Sequence, residues 1–169
     1  LDPDFFSILD NISSSLRSVF QTNNKVTFAV SGTGSSGMEM AMTNLIEEDD
    51  EVLILKNGEF GSRMENLAHR LKARVSTMST EWGESFEQSL VIEKIKSMPN
   101  LKLVSVVQAE TSTGVLQEID LIGKHLKNTD TIFLVDAVTS LTGVSLKVDE
   151  WGIDSCFSGS QKCLSVPPG

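Results

Sequence analysis

The sequence is short of cysteine, of positive charge and of long apolar runs, and each shortage removes a class of protein. Cys156 and Cys163 are its only cysteines, too few for a disulfide framework or a zinc cluster, which favours a reducing, intracellular compartment. Lys and Arg number 14 against 23 Asp and Glu, a formal charge of −9 with pI near 4.7. That balance speaks against nucleic acid or an anionic membrane surface as the main partner. No apolar stretch nears the roughly 20 residues of a membrane span, and the N-terminus lacks the basic-then-apolar order of a secretion signal. His69 and His125 lie in helical patterns among basic neighbours, with no acids at triad spacing, so neither reads as a catalyst. There are no repeats and no low-complexity tracts.

What remains is an ordinary globular composition. The 169 residues are 40% hydrophobic and 22% charged, with mean hydropathy −0.01, enough for one domain with a real core. The chain opens at Leu1 without an initiator Met and closes on Pro167-Pro168-Gly169, so it reads as part of a longer polypeptide.

Periodicity predicts alternating helices and strands. Phe5, Ile8, Leu9, Ile12, Leu16, Val19 and Phe20 share one helical face. Val26 to Val30 is short, apolar and β-rich, and predicts a strand running into Ser31-Gly32-Thr33-Gly34-Ser35-Ser36-Gly37. Met38, Ala41, Met42, Leu45 and Ile46 follow the stripe of a buried helix face, and Ser36 with Glu39 predicts a capping box. Strands are expected at 52–55, 74–78, 101–108, 131–136 and 155–158. Helices are expected around Met64–Leu71, Phe86–Ile95 and Ile119–Lys127. Such alternation implies a mostly parallel open α/β sheet with helices on both faces.

In such a sheet, ligands bind outside the carboxyl ends of the strands. The loop at 31–37 is the phosphate candidate: its glycines allow close backbone approach, and a helix start offers N–H groups and a favourable dipole. The alternatives are a glycine-rich turn without a ligand and a dinucleotide loop, the latter disfavoured because Lys56 occupies the place where that site wants an acid. Asp136 ends an apolar segment and needs a partner there; metal binding is one option, though no His or second acid stands nearby in sequence, and a helix N-cap is the other. Lys162 follows Ser158-Gly159-Ser160-Gln161 and precedes apolar residues, surroundings in which desolvation can turn an ammonium into a nucleophilic amine; a solvated surface Lys is the alternative. Phe60 sits in a turn bracketed by Gly58 and Gly61, a place for a large ring that packs on a helix or on a ligand. Cys163 reads as a free buried thiol.

Taken together, five segments resemble the class V, fold-type I aminotransferases that use pyridoxal 5′-phosphate (PLP), nearest to the alanine–glyoxylate and serine–pyruvate group. They are Ser31–Ser35, Asn57–Gly61, Glu110–Gln117, Val135–Ser140, and Gly152–Asp154 running into Ser158–Lys162. The resemblance implies that residues 1–169 are most of the large PLP-binding domain, the small C-terminal domain lying outside it. It implies that Lys162 forms the Schiff base with PLP and shuttles the α-proton, and that Asp136 pairs with the pyridinium nitrogen. Thr33, Gly34, Ser35 and Gln161 would hold the phosphate, Phe60 and Val138 would bracket the ring, and Thr111 would bond its phenolic oxygen; no metal is implied. Ser35 stands where mammalian-type relatives carry His, and Phe60 where close relatives often carry Trp. The expected activity is transamination between alanine or serine and glyoxylate or pyruvate, in a homodimer. A cysteine desulfurase or other lyase on the same core, and a non-catalytic nucleotide-binding module, are the rival readings.

Overall fold

The computed structural model describes residues 2–168; Leu1 and Gly169, on which the reading of cut ends rests, lie outside the described residues. In chain order the elements are α1 (Pro3–Phe20), α2 (Gly34–Leu45), β1 (Glu51–Lys56), α3 (Glu59–Arg70), β2 (Arg74–Ser79), α4 (Gln88–Lys96), β3 (Leu101–Val107), β4 (Ala109–Glu110), β5 (Val115–Leu116), α5 (Asp120–Leu126), β6 (Ile132–Asp136), α6 (Val148–Trp151) and β7 (Ser155–Phe157). Five strands form one sheet in the order β2-β1-β3-β6-β7, all pairs parallel. The short β4 and β5 pair antiparallel beside it.

The unbroken apolar runs of β1, β3 and β6 follow from burial on both sides. Met38, Met42, Met64 and Leu67 of α2 and α3 pack with Ile54, Leu103 and Leu134. Val91, Ile95, Ile122 and Leu126 of α4 and α5 pack with Leu53, Val104 and Phe133. The two clusters use alternate residues of the same strands, so helices cover both faces. This is the expected open α/β sheet.

Several local expectations differ. Residues 26–30 form no strand. Val26, Phe28 and Val30 are exposed, and the backbone there makes no ladder with any of the five strands. Among the described residues its hydrogen bonds are local, from the Val26 amide to Asn24 Oδ1 and from Thr27 Oγ1 to the Asn24 carbonyl. β-branched residues favour extended backbone, but a strand exists only against a neighbour. The capping box is also absent. The Thr33 carbonyl accepts the amides of Ser36 at 2.9 Å and Gly37 at 3.2 Å, so the turn closes earlier and Ser36 falls inside the first turn of α2.

Helix α1 does form, with Asp2 accepting the Asp4 amide at 2.9 Å as its cap and Pro3 at the first helical position. Its amphipathic face nevertheless buries nothing among the described residues: Phe5 is 51% exposed and Ile8 55%. Val19 and Phe20, at its C-terminal end, lie partly buried against the core. A polar clamp secures that end, with Asp149 accepting from Thr22 Oγ1 at 2.6 Å and from the Asn23 amide at 2.8 Å. No helix among the described residues is long and apolar enough to cross a membrane.

Candidate active site

The chain runs from β1 outward to β2, then returns across β1 to β3, so the order of the sheet reverses between β1 and β3. The segments after these two strands leave for opposite faces, α3 on one and α5 on the other. A crevice therefore opens at their carboxyl ends, the usual ligand position in an open α/β sheet. Asn57 follows β1 and Gln108 follows β3. Both are buried, and neither side-chain atom of Asn57 nor Gln108 Oε1 has a hydrogen-bond partner among the described residues.

Three of the loops singled out in the sequence converge on residues 136–139. A Cβ on Gly34 would lie 3.0 Å from Val138 Cγ2, and one on Gly159 would lie 3.5 Å from Val138 Cγ1 and 2.7 Å from Gln161 Oε1. Glycine at 34 and 159 thus lets the 31–37 loop and the 158–162 turn close on Val138. Ser158 Oγ donates to the Ala137 carbonyl at 2.9 Å. Thr111 and Thr139 share a hydroxyl–hydroxyl bond, which brings in the segment after β3. Cys163 Sγ donates to the Thr139 carbonyl at 3.2 Å. Cys163 is exposed rather than buried, because the turn that carries it lies on the surface.

Asp136 ends β6 and is 2% exposed. Its Oδ1 accepts the Val138 amide at 2.8 Å, and Oδ2 takes no hydrogen bond among the described residues. Burial pushes its carboxyl up to about 7; the Val138 amide opposes that rise and the charge on Glu110 adds to it. Cys156, on the adjacent β7, has its thiol pushed up by burial and by the Asp136 charge. A cation offered to Oδ2 would relieve the cost of burying Asp136 as an anion. Among the described residues no group of three or more His, Cys, Asp or Glu could hold a metal ion.

Lys162 is half-buried; its carbonyl accepts the Ser165 amide at 2.9 Å, while its side-chain amine makes no ion pair or hydrogen bond among the described residues. Its neighbours Gln161 and Cys163 reach Gly159 and Thr139 respectively, so its backbone is fixed at the edge of the same cluster. Phe60 is the second residue of α3 rather than part of a turn. The helix starts as early as Glu59 because Glu110, from β4, accepts the amides of Phe60 and Gly61. One face of the Phe60 ring is covered by the Arg63 guanidinium, 4.8 Å from the centroid. Thr33 and Ser35 are exposed at the start of α2. Sequence reasoning missed Glu110 and Arg63. An acid beside Thr-Ser-Thr-Gly has the composition of a solvated turn, and only the bare Gly58 at the helix start hints that something packs there. A separate cleft of about 760 Å³ lies between residues 26–30, α2 and β7, and meets this site along the 31–37 loop and at residues 158–160.

A parallel sheet of this order, with a buried acid, a half-buried lysine and glycine-rich loops at its carboxyl edge, defines an open α/β domain with a candidate site at that edge. The Aminotransferase class-V family model matches residues 2–169, and the chain belongs to that family, whose members use PLP. It is 40% identical over 168 residues to (S)-ureidoglycine–glyoxylate transaminase of Bacillus subtilis, covering 99% of this chain and 40% of the relative. Identity to alanine–glyoxylate aminotransferase of Rattus norvegicus is 40% over 169 residues, covering 100% and 41%. The crystal structure of alanine–glyoxylate aminotransferase from Nostoc sp. superposes with TM-score 0.95 at 42% identity, over 99% of this chain and 44% of that one. The chain therefore spans less than half the length of these relatives.

Proposed function

We propose that the protein containing this chain is a PLP-dependent aminotransferase that passes an amino group from a small amino acid, alanine or serine, to a small keto acid, glyoxylate or pyruvate. Asp136 carries this reading: a buried carboxylate with one oxygen tied to Val138 and the other unpaired fits a protonated ring nitrogen. The glycine-lined approach of the 31–37 and 158–162 loops to Val138 fits a flat ring anchored at one end by its phosphate. When bound, PLP supplies an electron sink for the pair left at the amino acid's α-carbon.

The chain's own residues do the rest. Lys162 would hold the cofactor covalently through its amine and would serve as the base that moves the proton at the substrate α-carbon, an assistance typically worth about 10²–10⁴ in rate. Asp136 keeps the proton on the ring nitrogen. The amides and hydroxyls of Thr33, Gly34 and Ser35, with Gln161, hold the phosphate at the start of α2. Phe60 and Val138 would bracket the ring, and Thr111 would bond the phenolic oxygen. On this reading the chain is most of the cofactor-binding domain, and the working assembly is a homodimer. Glyoxylate appears in the names of both relatives above, so it is the acceptor to assay first, and (S)-ureidoglycine belongs among the donors beside alanine and serine.

The test uses the full-length protein. Added PLP should give a visible band that borohydride reduces and that Lys162→Ala abolishes, and half-reactions with the three donors should bleach it. Absence of the band, or its survival in Lys162→Ala, would leave the nucleotide-binding module as the better reading.

A further inference from the structure

Helix α3 begins without a cap of its own, since Gly58 has no side chain to offer the first-turn amides. The missing acceptor comes from 50 residues away in sequence. Glu110 Oε2 accepts the Phe60 amide at 3.0 Å and the Gly61 amide at 3.3 Å. Its other oxygen, Oε1, accepts the Ser112 amide at 3.1 Å and the Ser112 hydroxyl at 2.7 Å. Ser112 Oγ in turn accepts the Glu59 amide at 3.0 Å. One carboxylate, 1% exposed, therefore ties the start of α3 to the turn after β4 across the crevice between β1 and β3. The fit leaves no slack. A Cβ at Gly58 would stand 2.3 Å from Glu110 Cγ, 2.6 Å from Cδ and 2.6 Å from Ser112 Oγ.

The two segments so joined carry Phe60 and Thr111. Resting on the cofactor site proposed above, we propose that Glu110 is a positioning residue, which fixes the Phe60 ring relative to the Thr111 hydroxyl so that the ring wall and the polar contact hold one spacing before PLP arrives. A solvated surface acid could not do this: a buried carboxylate stays where its donors are, and four donors on two segments fix both. Its charge also acts on Asp136.

The grip can be attacked from either side in the full-length protein. Glu110→Ala removes the acceptor, Gly58→Ala pushes it away, and Glu110→Gln keeps one acceptor oxygen. Amide hydrogen exchange without PLP should accelerate about tenfold or more at Phe60 and Gly61 in the first two variants and less in the third. Exchange in Leu67–Arg70 and in β1 should keep its wild-type rate. The Kd for PLP should rise about tenfold or more. At saturating PLP the visible band should persist while its circular dichroism weakens, as expected for a ring that is attached but less firmly oriented. Accelerated exchange at Phe60 with unchanged PLP affinity and dichroism would make the grip merely structural and overturn the proposal. Unchanged exchange, or loss of protection throughout the chain in all three variants, would overturn it as well. A wild-type protein that forms no borohydride-reducible band would sink the cofactor reading and this proposal together, whereas a normal wild-type band with unaltered variants sinks this proposal alone.

Discussion

The carboxyl edge of the sheet and the N-terminal segment of α1 with residues 26–30 both invert the rule that apolar groups go inside. At the sheet edge the inverted residues are acids. Asp136 and Glu110 are 2% and 1% exposed, and Glu110 is held by four donors. At the N-terminal segment the inverted residues are apolar, with Val26 76% exposed and Phe5 51%, and they are held by no core contact among the described residues. The first inversion is costly and is maintained by directional bonds between distant residues. The second costs little locally, because α1 satisfies its own backbone and residues 24–27 bond among themselves. A buried polar group thus marks where a fold has been built for something, whereas an exposed apolar stripe marks only a helix that can form by itself.

The largest effect that would sharpen this contrast lies beneath the sheet edge. Phe133, wholly buried in β6, should cost about 3–5 kcal/mol on truncation to Ala in chemical denaturation. Next comes Asp136→Asn, read in the protein without PLP. The folded carboxyl titrates at about 7, above its ordinary 3.8, so the native state binds this proton more tightly than the unfolded chain. Wild-type stability should therefore fall as pH rises between those two values and then level off. The Asn variant, free of that cost, should be more stable by about 1–3 kcal/mol above pH 7 and gain nothing below about pH 4. Activity should move the opposite way, since Asn cannot hold a proton on the ring nitrogen. A variant that is destabilised at pH 8 would break the claim that this acid is kept for binding rather than for folding.

Smaller effects belong to the N-terminal segment. The Asp149 clamp holds its carboxyl below the ordinary range, chiefly through Thr22 and then the Asn23 amide. Its contribution is present above the unfolded pKa and is lost as pH falls through the folded one. Because the clamp is exposed, Asp149→Ala should cost no more than about 1 kcal/mol near pH 7, seen as a lowered midpoint with faster exchange at the end of α1. Phe5→Ala should change stability by less than about 0.5 kcal/mol. A loss near that of Phe133→Ala would show that the α1 face is buried in solution, and would erase the contrast.

Much of this was legible from residue order. The runs at 52–55, 101–108 and 131–136 became β1, β3 and β6 within a residue or two, because a strand buried on both faces has no choice but to be apolar. Met38 and Met42 went to the core, as their stripe predicted. The candidate loops could be recognised as a set because successive parallel strands must all deliver their ends to one edge. Residues 26–30 misled for the complementary reason: β propensity describes a residue, and pairing describes two. Glu110 stood in a recognised segment, but its hold on α3 was not legible, because the amides it caps lie about 50 residues away. The β4–β5 hairpin and the short α6 also escaped, each too brief for a periodic signal.

By itself, then, the order of residues settled the alternation of elements, the parallel sheet and the shortlist of loops, all of which follow from periods of two and near four along one stretch of chain. Tertiary structure alone decided which loops touch, that one Asp136 oxygen has no partner among the described residues, that a glutamate 50 residues away caps α3, and that Phe5, Ile8, Leu9 and Ile12 of the α1 stripe stay exposed. Those outcomes depend on distances between segments remote in the chain, and local pattern carries no information about such distances.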